Sequence, residues 1–506
     1  MRKIIPVFVS VTLLISCQKE KYDFIIRNAQ VSSDGQSSRG LQDIGIRADT
    51  IAAINPSGKF EGISDREIDA KGLVLSAGFI DTHSHHGSGL RNNPPSVATI
   101  SQGITTIIVG QDGGSEWPLK KYFQMLTDSP VVINVGSYSG HNTLRDHVLG
   151  NDFKRKSTPA EIDSMVVMLK KDMEAGAFGL STGLEYDPGI YSTKDEVLRL
   201  SQVLPDYHGR YISHMRSEDR YFWDALQEII TIGKDIKIPV QISHFKLAMR
   251  GLWGKADSTL QLLESARKQG IDVTADLYPY TYWSSTIRVL FPERNFNDEK
   301  EAAFILKEVT SPEGIIFSHY EPNPEYNGKS LAAVAKQLKK TPEKMLIELI
   351  GRLDDCDKKG SQCSGSIVAT SMDENDVKKL MLWPHTNICS DGSSAGRHPR
   401  GFGAFTRVLG HYVREEKTLS LDEAIYKMTA LSADQMGITK RGRIKVGYYA
   451  DLVIFDPKTV NDQATIANPQ QISTGIEHVW VNGVEVFANG KATGKLGGRV
   501  IRRKEY

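Results

Sequence analysis

The middle of the chain repeats one pattern, in which an amphipathic helix ends at a glycine and a short apolar strand follows at once. One such helix begins at the capping box TPAE, residues 158–161, carries apolar residues on one face and ends at Gly176. The strand AFGLSTG follows directly, and the same order recurs after Gly233 and Gly270. These units predict an α/β fold, a (β/α)8 TIM-like barrel, with a doubly wound parallel sheet as the alternative.

Both ends of the chain differ from this middle part, because short β-like runs alternate there with turns. The dipeptide Asn-Gly, a strong hairpin signal, occurs twice near the C-terminus. We therefore expect one small β-sandwich domain built from residues 17–75 and 441–506, around a barrel at residues 76–440. Residues 290–365 are rich in charge and show little strand periodicity, so we interpret them as an insertion in the barrel.

The N-terminus has the pattern of an export signal. Arg2 and Lys3 precede an apolar stretch, Ile4 to Ile15, that is too short to span a bilayer. The following LISC resembles the bacterial lipobox, in which the cysteine becomes the lipidated first residue. We expect residues 1–16 to be a lipoprotein signal peptide and Cys17 to carry the lipid. The mature protein is then a lipid-anchored membrane protein that faces the periplasm or the cell surface.

The charge balance limits the classes of molecule that the protein can bind, and the cysteines bear on a possible disulfide. The 62 Lys and Arg residues nearly balance the 61 Asp and Glu residues, which gives no support for nucleic-acid binding. We expect a small-molecule substrate, and the sequence does not specify an oligomeric state. Cys356 and Cys363 lie in a polar stretch where an exported protein can form a disulfide, although the sequence leaves this pairing open. Cys389 has the surroundings of a buried strand residue.

Polar residues follow several predicted strands at the point where each strand ends. In GFIDTHSHH, alternation of side chains along a strand points His83 and His85 the same way and His86 the other way. YISHMR ends a strand at His214, QISHFK at His244, and TNICSDG at Asp391. A barrel places such residues together at one end, where its active site lies. Imidazole and carboxylate groups at that end predict a metal site.

The order HxH, His, His, Asp resembles the amidohydrolase superfamily, and the chain is most similar within it to the N-acyl-D-amino-acid deacylases (D-aminoacylases). The resemblance covers the mature chain and includes GFIDTHSHH, STGLEYDPG, YISHMRSE, DLYPYTYWSST and SDGSSAGRHPRGFG. It implies hydrolysis of the linear amide bond of N-acyl-D-amino acids or related amides. It also implies a metal-bound hydroxide as nucleophile, with Asp391 as both metal ligand and proton shuttle.

The resemblance also implies which residues bind the metal. His83 and His85 are expected to bind the more open metal position, and His214 and His244 the other. Zinc suits such ligands, and one or two ions are expected. Relatives commonly carry a cysteine ligand in an NCG motif where this chain has Asp112. We favour Glu185 as the bridging ligand in place of that cysteine, with Asp112 as the alternative and neither residue as the third. A carboxylate in that place makes Mn²⁺ an alternative to Zn²⁺.

Such a substrate has a free α-carboxylate, and its binding site therefore needs a cation and hydroxyl donors. Lys246 lies two residues past His244 and therefore on the same face. The resemblance adds further candidates, which are Tyr278, Ser284, Ser285 and Arg400. Tyr282 and Trp283 stand where relatives usually have small residues. We expect His141 to support the site from behind, and His86 to be a packing or supporting residue.

Two other functions remain open at this stage. One is a cyclic-amide hydrolase of the dihydroorotase or hydantoinase type. Such enzymes usually carry a carboxylated lysine on the fourth strand, and FGLSTGLEY has no lysine. The other is a catalytically inactive lipoprotein that captures ligands, which the presence of all four strand-end histidines and Asp391 disfavours.

Overall fold

The computed structural model describes residues 19–90, 96–358 and 363–503. The strands in chain order are β1 (Phe24–Ser33), β2 (Gln36–Ser37), β3 (Gln42–Arg47), β4 (Thr50–Pro56), β5 (Glu67–Asp69), β6 (Val74–Ala77), β7 (Phe79–Asp81), β8 (Ile104–Val109), β9 (Asn134–Ser137), β10 (Ser139–Gly140), β11 (Gly179–Gly183), β12 (Arg210–His214), β13 (Val240–Ile242), β14 (Val273–Leu277), β15 (Tyr282–Thr286), β16 (Ile315–Tyr320), β17 (Gly365–Thr370), β18 (Thr386–Ile388), β19 (Leu452–Phe455), β20 (Ile476–Val481), β21 (Val484–Ala488) and β22 (Lys491–Ala492).

The α-helices follow the same order along the chain. They are α1 (Val97–Ile100), α2 (Leu119–Asp128), α3 (His141–Leu149), α4 (Pro159–Glu174), α5 (Lys194–Ser201), α6 (Phe222–Ile236), α7 (Ala256–Lys268), α8 (Glu299–Phe304), α9 (Leu331–Gln337), α10 (Pro342–Asp357), α11 (Glu374–Leu382), α12 (Arg400–Arg407), α13 (Leu421–Met428) and α14 (Ala430–Met436). Two π-helical segments, Ile305–Val309 and Val408–Glu415, continue α8 and α12.

Parallel strands form a closed barrel in the middle of the chain. Its strand positions are β7, β8, β9 with β10, β11, β12, β13, β14 and β18. The first and last positions meet through two hydrogen bonds of 2.9 Å, from the Asp391 amide to the His83 carbonyl and from the His85 amide to the Gly392 carbonyl. This closure makes the fold the predicted (β/α)8 barrel and excludes the open doubly wound sheet.

The helix that follows β10 and α3 shows why these sequences fold as they do. At the start of α4 the Thr158 hydroxyl accepts from the Glu161 amide at 3.3 Å, and the Glu161 carboxylate accepts from the Thr158 amide at 2.7 Å. One helical face is buried, and its residues are Ile162, Met165, Leu169 and Met173. The helix ends before Gly176, whose φ of 101° suits glycine.

The prediction that a helix ends at Gly233 is wrong. Helix α6 continues to Ile236, and Lys237 takes the left-handed conformation that ends it. A Cβ atom at position 233 would lie 3.0 Å from Ile271 Cγ2. Gly233 therefore permits close packing of α6 on the barrel rather than stopping the helix.

Strands from both chain ends form one sheet outside the barrel. Its order is β22-β21-β20-β19-β6-β1-β3-β4, and β6 pairs antiparallel with β19. Trp480 is fully buried in this part and stacks on Phe24, with ring centroids 5.7 Å apart. The two ends thus complete one core, which neither end builds alone.

A separate small core lies between β14 and β18. Strands β15, β17 and β16 pair antiparallel, and α8 to α10 pack beside them around buried residues from Ile287 to Ala369. A disulfide joins Cys356 to Cys363, with Cα atoms 5.9 Å apart. This core extends beyond the predicted insertion, residues 290–365, because β15 precedes that range and most of β17 follows it.

No helix within residues 19–90, 96–358 and 363–503 is long and apolar enough to cross a membrane. The predicted signal peptide and Cys17 lie outside the described residues.

The barrel and the terminal sheet meet at a buried polar junction around Asp451. Its carboxylate accepts from Asn134 Nδ2 of β9 at 3.1 Å and from the Asn482 amide at 2.7 Å. Arg441 forms a buried ion pair with the same carboxylate. Removal of Asp451 therefore leaves a buried guanidinium and two donors without their acceptor.

We predict that Asp451→Ala lowers the free energy of unfolding by about 3–5 kcal/mol, because it strands a buried charge. Chemical denaturation monitored by circular dichroism measures the change. The matched control is Asp65→Ala, which breaks an ion pair of Lys21 with a carboxylate whose side chain is 90% exposed. The control should change stability by less than about 1 kcal/mol. Equal losses in the two variants would contradict this account of the junction.

Candidate metal centre

All predicted metal-binding residues lie at the carboxyl end of the barrel. His83 and His85 follow β7, His214 ends β12, and His244 follows β13. The three carboxylates follow other strands, namely Asp112 after β8, Glu185 after β11 and Asp391 after β18. Three of these residues have left-handed backbones, with φ of 54° at Asp112, 36° at His244 and 48° at Asp391. Each such conformation costs about 1–3 kcal/mol, and such strain is typical of functional sites.

Four side chains form the first ligand group, and they are His83, His85, Asp112 and Asp391. His85 Nε2 lies 3.2 Å from Asp112 Oδ2 and 3.2 Å from Asp391 Oδ1. His83 Nε2 lies 3.4 Å from the same Asp112 oxygen. The ligand atoms lie within 4.8 Å of one another, close enough to share one ion.

A second ligand group contains Asp112 again, with His214 and His244. The other Asp112 oxygen, Oδ1, lies 3.2 Å from His244 Nε2, which in turn lies 2.8 Å from His214 Nδ1. Glu185 contacts only the far side of this group, with Oε2 2.9 Å from His214 Nε2. The structure thus places Asp112, rather than the favoured Glu185, between the two histidine pairs.

The donor set fits a divalent cation. Both ring nitrogens of His83 are buried and have no hydrogen-bond partner. Burial alone would lower the pKa of His83, but Asp112, Asp276 and Asp391 raise it well above its ordinary value. The pocket is therefore strongly electronegative, and lone pairs of imidazole and carboxylate converge within it. These are the ligands and the local potential that suit Zn²⁺.

Two carboxylates that contact the metal-binding histidines were not predicted from the sequence. Glu218 Oε1 lies 3.0 Å from His244 Nδ1, and both its oxygens accept from Lys246 Nζ at 2.7 Å. Asp276 Oδ1 accepts from the His244 amide at 2.6 Å and lies 3.4 Å from His83 Nδ1. Such carboxylates orient metal-binding histidines. The sequence carries one indication of Asp276, because this residue lies near the end of β14 and two residues before Tyr278, so that extended backbone points both side chains the same way.

The predicted substrate-binding residues line one cavity together with the cluster, and they are Lys246, Tyr278, Ser284, Ser285 and Arg400. Arg400 Nη1 contacts Asp391 Oδ2 at 2.7 Å, and its guanidinium lies 4.7 Å from the centre of the Tyr278 ring. The Tyr278 hydroxyl is buried and lacks a partner. This wall therefore presents two cations and an unused hydroxyl beside the cluster.

The remaining candidates, two aromatic residues and two histidines, lie at different distances from the cavity. Trp283 lines the cavity, whereas Tyr282 packs on His398 with ring centroids 4.8 Å apart. His86 is buried outside the ligand groups, and burial lowers its pKa to about 3. His141 Nε2 contacts Glu196 at 2.8 Å in a buried network with Arg145. Both histidines therefore contribute to the packing behind the site.

A parallel barrel with histidines and carboxylates at its carboxyl end defines the class. The chain belongs to the amidohydrolase family, whose model matches residues 66–307 and 378–487.

Individual proteins that are similar over nearly the whole chain indicate the type of amidohydrolase. D-aminoacylase of Alcaligenes xylosoxydans xylosoxydans is 34% identical over 499 residues, covering 93% of this chain and 96% of that protein. The N-acyl-D-glutamate deacylase of the same organism is 35% identical over 512 residues, covering 96% and 97%. The structure of N-acyl-D-glutamate deacylase from Bordetella bronchiseptica, with zinc and a phosphonate mimic of the tetrahedral intermediate, superimposes with a TM-score of 0.83 at 32% identity. The superposition covers 96% of this chain and 100% of the Bordetella bronchiseptica chain.

We predict that Glu218→Gln weakens zinc affinity by about 10- to 100-fold, because it removes the carboxylate that orients His244. Competition titration with a zinc chelator measures the affinity. Asp219→Asn is the matched control, since Asp219 accepts hydrogen bonds from Ser217 and the Arg220 amide rather than from the cluster. Unchanged affinity in Glu218→Gln would contradict the assigned role.

Proposed function

We propose that this protein is a zinc-dependent deacylase that hydrolyses the amide bond of N-acyl-D-amino acids. One observation carries the proposal: a single cavity joins the histidine–carboxylate cluster to a wall with Lys246, Arg400 and the free Tyr278 hydroxyl. A metal cluster beside a carboxylate-binding wall suits an amide whose amine part is an amino acid. The preference for the D configuration is supported by three similar proteins, which are named as a D-aminoacylase and two N-acyl-D-glutamate deacylases.

In the proposed site, His83, His85 and Asp391 would hold one ion, His214 and His244 would hold the other, and Asp112 would contribute to both positions. The two Asp112 oxygens face opposite histidine pairs at 3.2 Å, which supports this assignment over a bridging Glu185. Glu185 then supports His214 from behind. When bound, Zn²⁺ polarises the amide carbonyl and lowers the pKa of water. The carboxylate in place of a thiolate also leaves Mn²⁺ as an alternative ion.

Asp391 is the proposed proton carrier. Burial raises the pKa of its carboxyl, but Arg400 and His83 outweigh burial and hold the pKa well below its ordinary value, so Asp391 is ionised. Its Oδ1 faces the cluster, while Oδ2 is held by Arg400. Asp391 accepts the proton of the attacking water and delivers it to the amide nitrogen, which leaves as the amine.

The substrate carboxylate is oriented by the opposite wall. Lys246 and Arg400 supply positive charge, and Tyr278, Ser284 and Ser285 supply hydroxyl donors. In the structure each cation already has a carboxylate partner, Glu218 for Lys246 and Asp391 for Arg400. These partners hold the two cations in position for the incoming carboxylate.

The charge of the cavity also bears on the amino-acid side chain. Lys246 and Arg400 are the only cations among its lining residues, and Glu185, Glu218, Asp219 and Asp391 are its acids. The rest of the wall is largely apolar, with Trp283, Val289, Leu290 and Val309. A second carboxylate on the substrate would lack a cation and face acidic groups. The cavity therefore suits a neutral side chain.

We predict that zinc-loaded protein hydrolyses N-acetyl-D-leucine with a kcat/KM at least about tenfold above that for N-acetyl-D-glutamate, a difference of about 1.4 kcal/mol. The L enantiomers should be poor substrates. Release of free amino acid measures the rates. Equal or faster hydrolysis of the D-glutamate compound would contradict the charge argument. Activity confined to cyclic ureides, or no hydrolysis at all, would overturn the deacylase proposal.

We predict that Asp391→Asn lowers kcat by at least about 10²- to 10⁴-fold, the range for loss of a general acid–base group. Steady-state assays with N-acetyl-D-leucine measure kcat, and atomic absorption confirms that zinc stays bound. Asp355→Asn is the matched control, because its side chain is 73% exposed and pairs only with Lys358. A fully active Asp391→Asn variant with normal zinc content would exclude Asp391 as the proton carrier.

We also propose that the protein is exported and anchored by a lipid on Cys17, on the grounds of the N-terminal pattern alone. We predict that cells fed labelled palmitate label the wild-type protein in the membrane fraction. Cys17→Ser should lose the label and leave that fraction. Label retained by the variant would contradict lipidation at Cys17.

A further inference from the structure

A second cavity lies directly beside the catalytic one. It measures about 740 Å³, whereas the catalytic cavity holds only about 50 Å³. Its walls come from the segment before α4, the loop after β11, and the small domain between β14 and β18. We name it the aromatic groove after four of its lining residues, which are Phe153, Tyr186, Tyr191 and Phe296.

The aromatic groove adjoins the catalytic cavity, and Tyr186 and Val289 line both. The Tyr186 ring packs on the His214 ring, with centroids 4.3 Å apart. Tyr186 therefore lies between the predicted metal ligand His214 and the groove.

Two arginines in the walls of the groove are held by acceptors of the same walls. Arg294 donates to the Glu185 carbonyl at 2.8 Å and to Asp187 at 3.0 Å. Arg288 donates to Asp354 and to Asp357, each at 2.7 Å. Both guanidinium groups are therefore engaged. Lys154 also lines the groove, and its Nζ lies 5.9 Å from the centre of the Phe153 ring. Phe153 and Tyr191 lie next to each other in the groove, with ring centroids 5.9 Å apart.

The position of the groove around the barrel decides which end of the substrate it meets. The groups assigned to the substrate carboxylate follow the sixth to eighth strand positions: Lys246 after β13, Tyr278 after β14 and Arg400 after β18. Tyr186 and Tyr191 follow β11, the fourth position, on the opposite side of the ring. In an N-acyl amino acid the acyl chain continues from the scissile carbonyl away from the α-carboxylate. With that carbonyl at the cluster, the acyl chain points to the side of the groove that Tyr186 and Tyr191 form, and away from the side formed by the segment between β14 and β18.

We propose that the aromatic groove binds the distal part of the acyl group, and that the preferred acyl groups carry an aromatic ring. This inference rests on the proposed deacylase function and extends it from the amino-acid part to the acyl part. Water adds its hydroxyl to the acyl carbon and a proton to the nitrogen, so the products are an arylalkanoic acid and the free amino acid. Offset or edge-on contacts with Phe153 and Tyr191 hold the ring of the acyl group.

The test compares N-acetyl-D-leucine with N-phenylacetyl-D-leucine in the zinc-loaded full chain. We expect a kcat/KM for the phenylacetyl substrate about tenfold higher, mainly through a lower KM. Phe153→Ala and Tyr191→Ala should each lower that value by about 2- to 10-fold, the range for one aromatic pair, and leave the acetyl substrate unchanged. Phe153→Leu serves as a second variant that keeps an apolar side chain. Tyr221→Ala is the control, because Tyr221 is 55% exposed and lines neither cavity.

The outcomes separate this inference from the deacylase proposal. If the ratio of kcat/KM for the phenylacetyl substrate to kcat/KM for the acetyl substrate is the same in wild type and variants, the groove assignment is overturned. The deacylase proposal stays intact in that case. If neither substrate turns over, the deacylase proposal fails, and calorimetry with N-phenylacetyl-D-leucine then tests the groove directly. Binding that weakens in Phe153→Ala and Tyr191→Ala supports the groove, and binding that is unchanged overturns it.

Discussion

The hydrogen bonds between the first and last barrel strands are the constraint on which the site depends. The Asp391 amide donates to the His83 carbonyl, so the backbone contact that closes the barrel joins two predicted metal ligands. Closure of the ring and assembly of the first ligand group are therefore one event. A barrel that failed to close would separate His83 and His85 from Asp391, although every residue was still present.

The charges at the centre explain why the cluster needs a cation. Asp112, Asp276, Asp391 and Glu218 crowd around the buried histidines, and Lys246 and Arg400 offset only part of that charge. The pKa of His244 rises to about 9, since Glu218 and Asp112 outweigh the opposing effects of burial and Lys246. Divalent ions between the carboxylates would replace protons in that role. We propose that the same acids disfavour an acidic substrate side chain.

Much of this arrangement was predictable from the sequence, because strand alternation and strand ends are local properties. His83, His85, His214, His244 and Asp391 were identified in that way, and so was the barrel. The position of Asp112 between the histidine pairs was not, since it depends on the left-handed turn after β8 and on distances across the barrel. The start of the inserted domain at β15 was not predicted, because this strand is half-buried or exposed throughout and shows no apolar alternation. The aromatic groove was not predicted because it is formed by segments far apart in the chain.

Asp112 is proposed to contribute one oxygen to the metal position of His83 and His85 and the other oxygen to the position of His214 and His244. Crystals of the zinc-loaded protein, measured on both sides of the zinc absorption edge, test it most directly. The account predicts two anomalous peaks, each at about 2.0–2.2 Å from a different oxygen of Asp112, with His83 and His85 on one ion and His214 and His244 on the other. Two ions bridged by Glu185, with Asp112 bound to neither, would contradict it.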